Sequence, residues 1–456
     1  MDNIWILTEE KPKVSVIRQI IEAYCADFND VIVKNDSVRI RPVFQEGKFQ
    51  YRYCVEGLAV GGAGGIIIKT VSGSSSFLDF LLFKQENEPD ENGSDIPLMA
   101  VEETKTSDDE SRNTGVYQRG SKFVFIEAFY ADVKLYMLYN EELGCRDEKK
   151  PSDTSIFGTN ILLTLGVTVL GKKTSRWFRP FTSVDDLIEF KSKMRRPPAG
   201  NVPIDIVRKN DTICISGRLA KPADAGNVGH DPNIGALSMI SKCIRALGWK
   251  KNIVITHHAV SQSYVNRTHG ANKFIYICNF LNIGMEGLVL PQTTAFPEHY
   301  WHYERSSEKM ASILLHVQGE YYGLKEVYQN HAGCERGYFK TPGGTLIPLP
   351  KKDKKGENLL LPDLVLWSPE TNTVVVVEGK KLSTIAAGLN EIQLYDSIES
   401  EFIKPNYPNC TLFRGVSIYG GSKNGIPDPG VLFYLADDGS VFVNSNAPQA
   451  IRNLFR

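Results

Sequence analysis

Apolar positions along the chain fall into two rhythms. Residues 14–28, VSVIRQIIEAYCADF, repeat them at helical spacing and predict an amphipathic helix. GIIIKTV (65–71), SFLDFLLF (76–83) and IPLMAVEETK (96–105) are short apolar runs that predict strands. An acidic turn-rich loop, QENEPDENGSD (85–95), separates the last two. Between residues 108 and 130 a helix is expected, followed by a strand at VKLYMLYN (133–140). The middle of the chain alternates again, with strands TICISG (212–217) and NIVITHHAV (252–260) around a helix at 234–248. A further helical stretch lies within 307–329. Near the C-terminus the order is strand DLVLW (363–367), turn SPETN, strand TVVVVEGK (373–380), helix 382–403 and strand TLFRGVSIYG (411–420).

Two segments interrupt this alternation. KSKMRRPPAGNVP (191–203) combines basic residues with a proline pair, and TPGGTLIPLPKKDKKGEN (341–358) is rich in Gly, Pro and Lys. They suggest three stretches: an N-terminal α/β domain (1–195), a middle α/β region (196–345) and a C-terminal core (346–456). A length of 456 residues suits two or three domains. No repeat of solenoid period is present, although the first and last stretches echo one another.

Composition narrows the classes. Formal charge is -1, which argues against a histone-like binder held by bulk positive charge. It leaves room for a local basic groove offset by a cluster of acids. No apolar run has membrane-spanning length, and the N-terminal MDNIWILTEEKPK places acids where a secretory signal has basic and apolar regions. The expectation is a cytoplasmic protein. Its eight scattered cysteines form no CxxC pair, so reduced thiols are expected.

The clearest chemistry lies in the last stretch. Asp363 opens one strand; Glu378 and Lys380 end the next and share a face by alternation. The strand before them, TVVVV, is apolar throughout, as a buried central strand is. Two carboxylates and a lysine at its end are costly to bury without purpose. They suit phosphodiester hydrolysis, where hard carboxylate oxygens hold magnesium and an amine offsets charge on the phosphate. The first stretch offers a similar set: Asp79, then Glu103 and Lys105, with Glu102 directed to the opposite face. Arg112, Asn113, Gln118 and Arg119 follow, side chains of types that can contact phosphates or base edges.

Both sets resemble the PD-(D/E)xK nuclease signature shared by many type II restriction endonucleases. The C-terminal copy reads PD, EGK, then a helix with Gln393 and Tyr395; the N-terminal copy reads LD and ETK, without the proline. The resemblance covers roughly residues 60–140 and 355–420, and not the middle. It implies a restriction-endonuclease-like mixed sheet flanked by helices, present once or twice, and Mg2+-dependent cleavage of double-stranded DNA. It also implies a cognate DNA methyltransferase in the same system. Asp363, Glu378, Asp79 and Glu103 would bind metal, and Lys380 and Lys105 would assist the nucleophilic water. Some type IIS enzymes resemble this plan, each of two centres nicking one strand. The competing readings are a repair or modification-dependent nuclease, and a non-catalytic DNA-binding protein that keeps the fold.

Other signals carry less. Asp132-Val133-Lys134, Glu189-Phe190-Lys191 and Asp353-Lys354-Lys355 repeat the acid-x-lysine spacing without the apolar strand, and read as surface. His299, His302, His331 and Cys334 offer zinc-type ligands, but the gap between the pairs exceeds that of most fingers. The glycine-rich 216–236 lacks a phosphate-loop pattern. Arg176 and Arg179, flanking Trp177 and Phe178, are candidate phosphate contacts, and Arg218, Asn266, Arg267 and Asn272 are candidate base readers.

Overall fold

The computed structural model describes residues 1–73, 78–90, 94–104, 116–130, 132–139, 150–171, 175–194, 204–217, 232–268, 273–292, 303–304, 309–331 and 337–455. The protein is mixed α/β, with several sheets flanked by helices. It divides into two compact units, each discontinuous in sequence. The first comprises residues 1–73, 83–91 and 303–456; the second comprises 74–82 and 92–302. This division cuts across the three consecutive stretches that the linkers suggest.

In the first unit, β1 (Asn3–Thr8) leads into α1 (Val14–Phe28), which ends where Asn29 turns left-handed at φ 55°. A long hairpin follows, β2 (Ile32–Gln45) and β3 (Lys48–Val60). Its two-residue turn has Glu46 at φ 51° and Gly47 at φ 76°, the doubly positive geometry that matches strand twist. β4 (Ile66–Thr70) pairs antiparallel with β3 and parallel with β1. The two-residue β5 (Ser72–Gly73) closes this segment.

In the second unit, Phe80–Leu82 of β6 (Phe80–Gln85) run antiparallel to β7 (Met99–Thr104). All six residues of β7 are buried. α2 (Val116–Phe129) crosses to β8 (Lys134–Tyr139), which lies parallel to β7. α3 (Asp153–Thr164) leads to β9 (Thr168–Leu170), parallel to β8, and α4 (Val184–Lys193) leads onward. A separate four-stranded sheet has β10 (Ile206–Lys209), β11 (Thr212–Ser216), β12 (Asn252–Thr256) and β13 (Ile283–Met285) in sequence order. α5 (Pro232–Ala246), α6 (Gln262–Thr268) and α7 (Lys273–Leu281) connect its strands. α2 packs on α5 so closely that a Cβ on Gly120 would fall 2.5 Å from Met239 Sδ.

The chain then completes the first unit. β14 (Tyr303–Glu304) pairs with β5. α8 (Lys309–Tyr321) is buried from Met310 to Gly319, so it is a core helix rather than a surface one. β15 (Lys325–Gln329), the small hairpin β16 (Tyr338–Lys340) and β17 (Leu346–Pro348), then β18 (Leu364–Ser368) and β19 (Thr373–Lys381) follow. β20 (Thr411–Tyr419), β21 (Val431–Leu435) and β22 (Val441–Val443) complete a six-stranded sheet in the order β15-β18-β19-β20-β21-β22. β18 lies antiparallel to both β15 and β19, and β20 lies parallel to β19.

The segment between β19 and β20 is not the single helix its apolar spacing predicts. α9 (Ile385–Glu391) gives way to a 3-10 turn, a short α turn and a π turn at Glu399–Ile403. Arg414 on β20 fastens it, donating to Ile392 O at 2.8 Å and pairing with Asp396 and Glu399. A Cβ on Gly388 would stand 2.8 Å from Lys380 Cγ and 2.9 Å from Val416 Cγ1. Glycine therefore lets α9 sit directly on the strand that carries Lys380. Among the described residues no helix is long and apolar enough to cross a membrane.

Candidate active site

β19 has neighbours on both sides and carries four buried valines, so its polar residues collect at its end. Leu364 pairs with Val377, which sets Asp363 beside Glu378. Asp363 Oδ2 accepts a 2.8 Å hydrogen bond from Gly379 N, and the Asp363 carbonyl accepts one from Asn330 N. Lys380 Nζ donates to Glu378 Oε1 at 2.7 Å and lies 2.8 Å from Glu391 Oε2 on α9. The hydroxyl of buried Tyr395 donates to Glu378 Oε2. Thus Asp363, Glu378 and Lys380 meet as the sequence predicts, and Glu391 joins them. Glu391 was missed because it enters from the helix; its four-residue spacing from Tyr395 was the available signal. Gln393 is exposed.

The carboxyl groups of Glu378 and Glu391 meet the Lys380 ammonium, and Asp363 stands beside Glu378. Glu378 is 5% exposed, and burial, then the neighbouring Asp363 charge, push its pKa up to about 7. Burial pulls Lys380 down, but its bonds to Glu378 and Glu391 overcome this and hold it above its usual value. The cluster has more negative charge than its own lysine balances, and hard oxygen donors to offer a cation.

Tyr395→Phe would leave a buried carboxylate oxygen without its donor. If Glu378 holds a metal ion, we expect ion affinity or turnover to fall about 10–100-fold, read by titration and cleavage rate.

In the second unit the corresponding residues need a correction. Phe80 pairs with Val101, so the acid beside Asp79 is Glu102, not Glu103. Glu102 Oε1 accepts from Asp79 N at 3.2 Å and from Lys122 Nζ of α2 at 2.7 Å. Glu103 meets Asp79 through its backbone, its N donating to Asp79 Oδ2 at 2.7 Å, and its side chain alternates to the other face. Arg119 Nη1 lies 2.8 Å from Asp79 Oδ2 and 3.5 Å from Glu102 Oε2. Glu102 is fully buried, and burial, then Asp79, push its pKa up to about 8 against Lys122 and Arg119. Of the DNA contacts expected here, Arg119 is turned onto these acids. Lys105, Arg112, Asn113 and the Gln118 side chain lie outside the described residues.

Protein-family models, curated proteins and solved structures were compared with the chain, and none matches. Any functional reading therefore rests on the residues themselves.

The remaining candidates resolve differently. Arg179 forms a two-pronged pair with Asp186, 2.7 Å at each contact. Arg267 and Asn266 are exposed on α6; Arg218 and Asn272 lie outside the described residues, as do His299, His302 and Cys334. His331 is buried in the first unit, 3.1 Å from His316 Nδ1 and 3.3 Å from Ser312 Oγ. His316, Glu320 and Glu326 bring ligand atoms within 4.8 Å of one another. Two lysines already serve those acids: Lys11 binds Glu320 and lies 3.7 Å from Glu326 Oε2, while Lys340 lies 2.7 Å from Glu326 Oε1. The group is a buried ion-pair network.

That network sets a pH dependence. Burial, then His316, hold His331 well below the usual histidine range, with Lys11 and Lys309 also disfavouring its cation and Glu326 favouring it. Glu326 is held well below the usual carboxylate range: burial opposes ionisation, but His316, Lys11 and Lys340 outweigh it. For both groups the unfolded chain binds the proton more readily. Their stabilisation is therefore present above the unfolded pKa and lost as pH falls, from about 6.5 for His331 and from about 4.5 for Glu326. We expect the urea midpoint of this unit to drop in these two windows, and His331→Gln to remove the upper one.

Proposed function

We propose that the chain is a sequence-specific type II restriction endonuclease that hydrolyses phosphodiester bonds of double-stranded DNA with magnesium. The observation that carries this reading is the meeting of Asp363, Glu378 and Lys380 at the end of β18 and β19. The order of elements supports it too. A helix, three antiparallel strands, a helical segment and a parallel fourth strand agree with a restriction-endonuclease-like core.

The donor set fits Mg2+. Asp363 and Glu378 offer hard oxygens side by side at a partly buried strand end. Magnesium bound there supplies charge stabilisation at the phosphate. Asp363 is held in place by Gly379 N, and Tyr395 fixes the rotamer of Glu378. Lys380 keeps an ammonium beside Glu378 that orients attacking water and offsets charge developing on phosphate oxygens. On this reading the protein acts in the cytoplasm, and a methyltransferase of matching specificity protects host DNA.

The test is incubation with a large plasmid and Mg2+, read on a gel. Discrete fragments that vanish with chelator are expected. Cutting of methylated DNA alone would favour a modification-dependent enzyme. Binding without cleavage, indifferent to Mg2+, would overturn the catalytic reading.

A further inference from the structure

The lysine-rich segment that interrupts the sequence pattern before β18 is a fixed turn. Gly356 N donates to Asp353 O at 3.0 Å, Asp353 N to Glu357 O at 2.9 Å and Leu359 N to Lys351 O at 3.1 Å. Lys352 bridges to Asn358 across its base. Asp353-Lys354-Lys355-Gly356 places aspartate and glycine where a four-residue turn favours them, and Gly356 takes φ 84°. Asp353 is only 8% exposed. Its Oδ1 accepts from the backbone N of Lys355 and of Glu357, both at 2.9 Å, and its Oδ2 accepts from Ser397 Oγ at 2.8 Å. Lys354 N donates to Glu401 Oε1 at 2.9 Å. The turn is thereby tied at two points to the helical segment that follows Tyr395.

These bonds decide where the charge goes. Asp353, the acid among four lysines, is turned inward onto backbone N–H groups and a hydroxyl. Lys351, Lys352, Lys354 and Lys355 are exposed, and their ammoniums enter no ion pair among the described residues. Asp396 feels the charges of Lys355 and Lys404, but its own partner is Arg414. Glu357 is the other acid of the turn and is exposed. A surface shaped for solubility alone mixes its signs; like charges fixed in one turn repel, and a polyanion relieves that repulsion. The turn also lies within reach of the C-terminal site. Asn358 is five residues before Asp363, a span of at most about 18 Å. Over that length a duplex presents roughly ten backbone charges.

We infer that residues 351–358 form a phosphate-contacting turn, whose four lysines hold the sugar–phosphate backbone flanking the bond that the C-terminal site addresses. In naming duplex DNA as the partner it rests on the proposed function. Lysine suits the task, because a compact charge on a flexible stem meets phosphate oxygens whatever the base sequence. The turn therefore adds affinity and register rather than sequence choice. Asp353 and Ser397 are positioning residues. They hold the turn against the segment that begins at Tyr395, so bound phosphates are placed relative to Glu378.

The test is binding of the full chain to a short labelled duplex, read by fluorescence anisotropy across a NaCl series in chelator, so that nothing is cut. Log affinity falls against log salt with a slope of about 0.9 per phosphate contact. Lys351→Gln, Lys352→Gln, Lys354→Gln and Lys355→Gln in one chain flatten that slope by about 3–4, with the unfolding midpoint of wild type because all four are exposed. Asp353→Ala removes a negative charge yet weakens binding, because the turn is untied. Lysines acting as diffuse charge would instead make Asp353→Ala bind more tightly. That result, or a slope unchanged by the fourfold variant, overturns the inference. Wild type that binds phosphatidylserine vesicles and no duplex overturns it in favour of a membrane surface. Steep binding that depends on the four lysines, with no cleavage in Mg2+, removes the nuclease reading and leaves the turn's assignment standing.

Discussion

Lys380→Ala is expected to slow plasmid linearisation by Mg2+ about 10²–10⁴-fold, while ion binding at Asp363 and Glu378 is kept or strengthened. Lys380 Nζ stands 2.7 Å from Glu378 and 2.8 Å from Glu391. Its loss removes positive charge, so the acids attract a cation at least as well. What disappears is the donor that would orient water and meet charge on the phosphate. A merely structural lysine would behave otherwise: its removal would lower unfolding temperature and leave turnover of the folded fraction intact. The two quantities are measured separately, by Mn2+ titration and by single-turnover cleavage. Linearisation within about threefold of wild type would remove Lys380 from the mechanism.

Lys11→Met should destabilise the first unit by about 1–3 kcal/mol, below the cost of breaking a fully buried charge pair because Glu320 is 38% exposed. The Lys11 side chain is 6% exposed, and Glu326 at 8% is nearly as buried. With Lys11 gone, Glu320 loses its ammonium and Glu326 keeps Lys340 and His316. Methionine fills similar volume, so a cavity contributes little and the change reports the charge. The unfolding transition of this unit in urea gives the number, with intrinsic probes from each unit followed separately because two-state behaviour is not assured in a chain of this size. Replacing Glu320 as well with Gln should recover part of the loss. A change below about 1 kcal/mol for Lys11→Met would mean that the network is solvated and unimportant.

The C-terminal site was legible because everything that defines it is local. Four consecutive valines mark a central strand, alternation aligns Glu378 with Lys380, and a five-residue turn sequence fixes the hairpin that returns Asp363 to them. In the N-terminal set the strand pairing differs by one residue from what the spacing suggests, for an equally local reason. In Glu102-Glu103-Thr104-Lys105 the spacing favours the glutamate two before the lysine, whereas the pairing of Phe80 with Val101 selects Glu102. Pairing across a long acidic loop is not encoded in spacing. Nor is the position of Lys122, whose amine reaches Glu102 only because α2 folds back beside β7. The core burial of α8 was likewise hidden. Its sequence predicts a helix, but Glu320, which His316 also meets, is bound by Lys11 from 309 residues away.

The central claim is that Asp363 and Glu378 converge on one divalent cation. A crystal of the full chain soaked in Mn2+ tests it through an anomalous difference map. The account predicts a peak in contact with oxygens of both residues, at about 2.0–2.3 Å, that is lost in Asp363→Asn. A saturated crystal with manganese bound elsewhere and none between these carboxylates would contradict it.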